Sequence, residues 1–303
     1  MQTNNYTIRS NFDGLELSVL EVLPDGEKKG VFQILHGMCE HKERYLPLME
    51  FLSGHGFVCV CHDHRGHGDS VKTPDDLGYF YERSGNAVVQ DAIQLTERIK
   101  TTYPNLPITL FGHSMGSMIA RCFVQTADDK IDKLIVCGSP SQNPLAGVAV
   151  CLAKTIALFC GKRHRSKLLT YLSTGKGNER FVGEGKCAWL CKNRAVVQAY
   201  LADDKCRYSF TCNGFENLFK LMKRTYQKKR FRVQNPTMPI HFIAGGDDPV
   251  IVDELKWFKA IEAMREVGYE SVSGKLYEGM RHEIHNETDQ RKVFDDILAF
   301  ANA

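Results

Sequence analysis

Short, unbroken apolar runs alternate with segments of helical spacing along the first 140 residues. Glu16–Pro24 and Gly30–His36 predict strands, and Tyr45–Gly54 predicts a helix that stops at glycine. Phe57–Asp63 (FVCVCHD) lies between Gly56 and the Arg65-Gly66 pair, the pattern of a strand buried on both faces. Asn86–Thr102 sets Val88, Val89, Ala92, Ile93, Leu95 and Ile99 on one face of a helix. Pro107–Gly112 predicts another buried strand, Met115 to about Ala127 a helix, and Lys133–Ser139 a strand. Between Ser141 and Asn235 no buried-strand run occurs, only helix-like segments and loops. After Pro236 the alternation resumes, with strands at Pro239–Gly245 and Val272–Glu278 and helices at Asp253–Val267 and Thr288–Phe300. Apolar strands alternating with helices predict an α/β fold whose mostly parallel sheet is covered on both faces. The expected organisation is a core of residues 1–140 and 236–303 with a helical cap, 141–235, inserted into it.

Within the insertion, Leu145–Cys160 is apolar on nearly every face, broken only by Lys154, and ends at Gly161 before a basic run. Its length as a helix, about 24 Å, falls short of a bilayer core of roughly 30 Å. It reads as a lid over an acyl-chain tunnel, with a basic end suited to a membrane surface. Trp189, Leu190, Phe210, Phe215, Leu218 and Phe219 are candidates to line that tunnel or to fill the cap's own core.

Composition narrows the class without deciding it. In 303 residues, 43% are hydrophobic and 25% charged, which excludes a disordered, collagen-like or multi-span membrane chain. The 11 cysteines are odd in number, show no repeated spacing and sit partly in apolar runs, so free thiols in a reducing compartment are expected. MQTNNYTIRS has no secretory pattern, so the expected location is cytoplasmic. The net charge of +3 conceals a polarised chain. Residues 141–235 hold 19 Lys and Arg against 5 Asp and Glu, and the rest hold 20 against 31. A cap of charge +14 on a body of −11 implies either cap-to-body pairing or steering toward anionic lipid surfaces. Nucleic acid is not expected, because the basic excess sits on the part that covers the candidate site.

That site begins at Gly112-His113-Ser114-Met115-Gly116, a G-x-S-x-G pattern with a strand before it and a helix after it. The turn from strand to helix is too sharp for side chains at the glycines, and it projects the serine hydroxyl above the sheet edge. A nucleophilic serine needs a base, and the base an orienting carboxylate, here expected in the chain order Ser, acid, His. Gly245-Gly246-Asp247-Asp248-Pro249 and Gly279-Met280-Arg281-His282 each follow a predicted strand, at the carboxyl edge where such sheets bind ligands. Asp248 is the preferred acid, with Asp247 behind it, and His282 the preferred base, with His285 second. The His36-Gly37 turn after a strand suits a second oxyanion donor, so the backbone N–H groups of Met38 and Met115 are assigned to the hole.

Metal readings are weaker. His62-Asp63-His64-Arg65-Gly66-His67 reads as a strand end and a turn, and lacks the His-x-His-x-Asp-His order of metallo-β-lactamase-like hydrolases. His282-Glu283-Ile284-His285 lacks the histidine pair of H-E-x-x-H, and Cys187/Cys191 and Cys206/Cys212 lack C-x-x-C spacing. No cofactor is expected.

HGMCEHKERY (36–45), HDHRGHGDS (62–70), GHSMGS (112–117), GGDDPV (245–250) and EGMRHEIHNE (278–287) together resemble the α/β-hydrolase superfamily. Within it they resemble the monoacylglycerol lipase and lysophospholipase-like group, filed with serine aminopeptidase-like hydrolases. The resemblance spans nearly the whole chain. It implies Ser114 as nucleophile, Asp248 as acid, His282 as base and Met38 and Met115 as oxyanion donors. It also implies a fatty-acyl ester substrate and no cofactor. Met38 and Cys39 stand where many relatives have a small residue and glycine, which implies a narrower mouth to the acyl pocket. The rival readings are an acyl-peptide or amide hydrolase and a non-catalytic binding protein for an apolar ligand.

Overall fold

The computed structural model describes residues 1–303, apart from the side chain of Lys176. One eight-stranded sheet carries the fold, in the order β1-β2-β4-β3-β5-β6-β7-β8. The strands are β1 Gln2–Arg9, β2 Glu16–Leu23, β3 Gly30–Leu35, β4 Phe57–His62, β5 Ile108–His113, β6 Lys133–Cys137, β7 Ile240–Gly245 and β8 Val272–Tyr277. β1, β2 and β4 pair antiparallel, and every other pairing is parallel. The central strands β3, β4 and β5 are buried at every position, as their unbroken apolar runs require.

Both faces are covered. On one side α2 (Ala87–Thr102), α3 (Met115–Phe123) and α8 (Glu254–Arg265) close a large apolar cluster that includes Val89, Ile119 and Trp257. On the other, α1 (Leu46–Gly54) and α9 (Gln290–Asn302) close a smaller one around Met49, Phe111 and Ile297. The segment between β6 and β7 contains α4 (Ala146–Cys160), α5 (Lys167–Thr174), α6 (Arg194–Ala202) and α7 (Cys212–Thr225), and no strand among its described residues. Its helices divide in role. α7 packs on α3 and carries Phe215, Leu218 and Phe219 into the main core, while α4 rests on α7.

Strand β1 escapes the sequence reading. It pairs with β2 from Gln2↔Leu23 to Arg9↔Glu16, but as an edge strand it buries little beyond Ile8. Only alternate positions, Asn4, Tyr6 and Ile8, face the core, and an edge strand with one wet face needs no unbroken apolar run, so its composition is that of a loop.

The register aligns the carboxyl ends of the parallel strands. Leu35 lies beside Gly112, His113 beside Cys137, Cys137 beside Ile243, and Gly245 beside Tyr277. The residues that follow β3, β5, β7 and β8 are therefore delivered to one edge of the sheet.

Candidate active site

Ser114 leaves β5 and opens α3 at φ 53° and ψ −115°, a left-handed conformation that a side-chain-bearing residue adopts only under constraint. The constraint is visible on both sides. A Cβ at Gly116 would collide with the Leu35 carbonyl, so only glycine lets α3 start against β3. The Ser114 N–H donates to the Cys137 carbonyl at 2.9 Å, which anchors the turn to β6. The serine is half-buried, and its Oγ is not hydrogen-bonded to His282 in this conformation, a looseness common before substrate binds.

Asp248 and His282 meet across the ends of β7 and β8. The His282 Nδ1–H donates to Asp248 Oδ2 at 2.9 Å, and both side chains are buried. Asp248 Oδ1 accepts the Val250 N–H at 2.8 Å, which fixes the carboxylate plane. Asp247 is half-exposed and turns toward Lys192 Nζ, 3.8 Å away, so of the two candidate acids only Asp248 reaches the histidine. Burial disfavours the His282 cation, but the Asp248 charge and hydrogen bond, with Glu283 and Glu40 behind them, hold its pKa above the ordinary histidine value. Gly138 lies against this pair, since a Cβ there would come within 3.2 Å of His282 Cε1 and 3.4 Å of Asp248 Oδ2.

His285 occupies a different place. It stacks on Tyr45 with ring centroids 4.9 Å apart, below the edge, and burial depresses its pKa to about 3. It does not reach Asp248.

The turn after β3 approaches Ser114 closely. A Cβ at Gly37 would lie 3.2 Å from Ser114 Cβ. Among the described residues, neither Met38 N–H nor Met115 N–H is engaged by a protein acceptor. Beneath the turn lies a network that residue types alone did not reveal. Glu40 accepts hydrogen bonds from Gly37 N–H, Tyr45 Oη at 2.9 Å and Arg44 at 2.8 Å, and contacts His113 at 3.2 Å. Arg44 grips Glu283 with two bonds of 2.7 Å, tying the Gly37 turn to the residue beside His282. Burial would raise the Glu40 carboxyl, but the hydrogen bond from His113 and the Arg44 charge hold it well below the usual range.

Above the histidine, residues 184–192 of the insertion form a strap. Arg281 donates to the Ala188 carbonyl at 2.7 Å, pairs with Glu184 at 2.7 Å and stacks on Phe181 at 4.0 Å. Glu283 N–H donates to the Leu190 carbonyl at 2.7 Å, and Lys192 N–H to Glu287 at 2.8 Å. These bonds set the Trp189 ring 5.0 Å from the His282 ring. Of the tunnel candidates, Phe210, Phe215, Leu218 and Phe219 belong to the main core and Leu190 is buried, which leaves the half-buried Trp189 over the site.

The histidine-rich segment is packing and scaffolding. His36, His64 and His67 pack ring to ring, with the His36 centroid 4.1 and 5.2 Å from the other two, and burial depresses His67 to about 4 and His62 to about 3. Arg65 pairs with Asp13 and Asp91.

The basic insertion splits between the two accounts of its charge. Arg163 pairs with Asp76, Lys205 with Asp69 at 2.6 Å and Lys228 with Glu266 at 2.7 Å, all contacts between the insertion and the rest of the chain. Lys162 and Lys167 stay exposed beside the apolar and exposed Leu158, Phe159, Leu168, Tyr171 and Leu172. Among the described residues, no helix is long and apolar enough to cross a membrane.

Comparison with known proteins identifies the family. Residues 26–289 match the family model of serine aminopeptidase, S33. The chain is 25% identical over 277 residues to a monoacylglycerol lipase of Mycolicibacterium smegmatis, covering 91% of this chain and 89% of the relative. A phospholipase of Bacillus subtilis is 23% identical over 276 residues, covering 90% and 95%. Among solved structures, a highly thermostable carboxyl esterase from Bacillus coagulans superposes with a TM-score of 0.88 at 27% identity, over 100% of this chain and 98% of that one. The chain therefore belongs to the serine aminopeptidase S33 family of α/β-hydrolases, and is a hydrolase of the lipase and esterase class.

Proposed function

We propose that this chain hydrolyses carboxylic esters of fatty acids, of the monoacylglycerol or lysophospholipid type, with Ser114, Asp248 and His282 as its triad. The observation that carries the reading is the buried 2.9 Å bond from His282 to Asp248, at the same sheet edge as the left-handed Ser114. His282 takes the Ser114 proton as Oγ attacks the ester carbonyl, and Asp248 holds the imidazole and stabilises its charged form. The N–H groups of Met38 and Met115 receive the negative charge that develops on the carbonyl oxygen. His282 then protonates the leaving alcohol and activates the water that releases the fatty acid.

In this reading residues 1–140 and 236–303 form the catalytic body and 141–235 the cap. The exposed apolar ends of α4 and α5, with Lys162 and Lys167, touch anionic lipid surfaces and give the site access to lipid-held substrate. The lipase and phospholipase activities named for the relatives support the substrate class. Labelling with a fluorophosphonate probe followed by peptide mapping is expected to place the adduct on Ser114. An ester panel of varied acyl length and head group, run beside matched amides, is expected to favour fatty-acyl esters. Absence of labelling would favour a ligand-binding protein, and preference for the amides an acyl-amide hydrolase.

A further inference from the structure

His41, Asp203 and Cys206 come together at the seam between the insertion and the body. His41 follows the Gly37 turn, Asp203 ends α6, and Cys206 lies in the next turn, where its N–H donates to the Asp203 carbonyl at 3.0 Å. One ligand atom from each, a ring nitrogen, a carboxylate oxygen and a thiol sulfur, lie within 4.8 Å of one another. No C-x-x-C or H-x-x-H spacing announces them, because the set is assembled by tertiary contact.

We propose that these three side chains bind a thiophilic divalent ion of the Zn2+ class, which clasps the insertion to the Gly37 turn. The donor set decides the class. Nitrogen, oxygen and sulfur together suit zinc, whereas magnesium and calcium take oxygen. Tetrahedral zinc bonds of about 2.0–2.3 Å impose ligand separations of roughly 3.3–3.7 Å, so the three atoms need to shift by about 1 Å. His41 Nε2 and Asp203 Oδ2 now share a proton at 2.8 Å, and the ion takes its place. Binding also displaces the thiol proton, so two protons leave for each ion bound. Neutral imidazole, carboxylate and thiolate then balance the double charge, which a largely buried site requires.

Two further observations fit a metal site. Glu43 holds the other ring nitrogen of His41 at 2.6 Å, the carboxylate–histidine pairing that orients metal-bound imidazoles. Asp203 and Glu43 each keep 35% of their side-chain surface exposed, which provides an entry path, while Cys206 is a buried, free thiol whose Sγ is engaged by no hydrogen bond among the described residues. The site stands whether or not Ser114 is the nucleophile.

The test is titration of the reduced, intact chain with Co2+, followed by competition with Zn2+. One equivalent is expected to produce a thiolate-to-cobalt charge-transfer band that zinc removes, and zinc is expected to raise the thermal midpoint. The band should vanish in Cys206→Ser. Zinc affinity should fall at least tenfold in Asp203→Asn, and about 10- to 100-fold in Glu43→Gln. Absence of the band, or its survival in Cys206→Ser, overturns the proposal. Survival would place the ion at exposed Cys151 or Cys160, or at the fully buried His113–Cys137–His285 cluster beneath His282. Should Cys206→Ser fail to fold by circular dichroism, the half-exposed and isosteric Asp203→Asn decides alone, and unchanged affinity there overturns the proposal.

Discussion

The two halves of the insertion differ in composition and have opposite fates, the more apolar half being the more exposed. Its second half, the strap at 184–192 and helix α7, is bound to the body by buried hydrogen bonds and by Phe215 and Phe219 in the main core. Its first half, α4 and α5, leaves Leu158 and Phe159 about four-fifths exposed (79% and 80%). Apolar content alone therefore says little about what a cap helix does. What separates the halves is whether the apolar face meets a helix already fixed by the sheet. α7 meets α3, whose start is pinned by the Ser114 turn, whereas the far end of α4 reaches past the body into solvent. In the proposed function, access to the site belongs to the first half and positioning of His282 to the second.

The largest expected effect tests the body beneath the strap. Asp248→Asn is expected to lower ester turnover by about 10^4, since the amide no longer holds the imidazole in its working state, while Asp247→Asn stays within about threefold. Equal losses in steady-state kcat/KM would erase the distinction between the two acids. Next comes stability. Truncating buried Phe215 to alanine is expected to cost about 3–5 kcal/mol in urea unfolding, against about 0.5 kcal/mol or less for Phe159→Ala. Similar costs would mean that α4 is as firmly docked as α7.

Arg281→Met should loosen the strap and cut kcat by roughly 10- to 100-fold with little change in KM, because a small displacement of the base is costly. A purely structural role would instead appear as a lower thermal midpoint with kcat intact. The acid limb of kcat/KM is expected above the ordinary histidine value of about 6.5, because the proposed mechanism needs a neutral His282 and Asp248 raises its pKa. The same shift means that the Asp248–His282 pair stabilises the fold fully below pH of about 6.5, and that this contribution is lost as pH rises through the raised value. An acid limb below about 6 would contradict the pairing. The smallest effect concerns the exposed half. Leu158→Ser with Phe159→Ser should lower activity on anionic vesicles several-fold relative to a soluble ester, and added salt should narrow the gap. Equal rates on both substrates would remove the lipid-contact role.

Much of this protein was legible in the amino-acid order. Buried parallel strands need unbroken apolar runs, and a nucleophile turn needs glycine on both sides, so the α/β alternation and the Ser114, Asp248 and His282 candidates follow from local rules. Edge strand β1 was invisible because its one packed face holds only a single fully buried residue, Ile8, too little for an apolar run. The preference for Asp248 over Asp247 rested on the resemblance, through the Asp that precedes Pro249-Val250; which of the two carboxylates the β7 turn directs to His282 is visible only in the fold. The Glu40–Arg44–Glu283 bridge, the Arg281 strap and the His41–Asp203–Cys206 cluster join residues far apart along the chain. Their partners are set by strand order and loop closure, so only the tertiary structure decided them. Local periodicity determines which elements form and where a turn must be glycine. Long-range charge pairing and docking faces depend on which elements become neighbours in space.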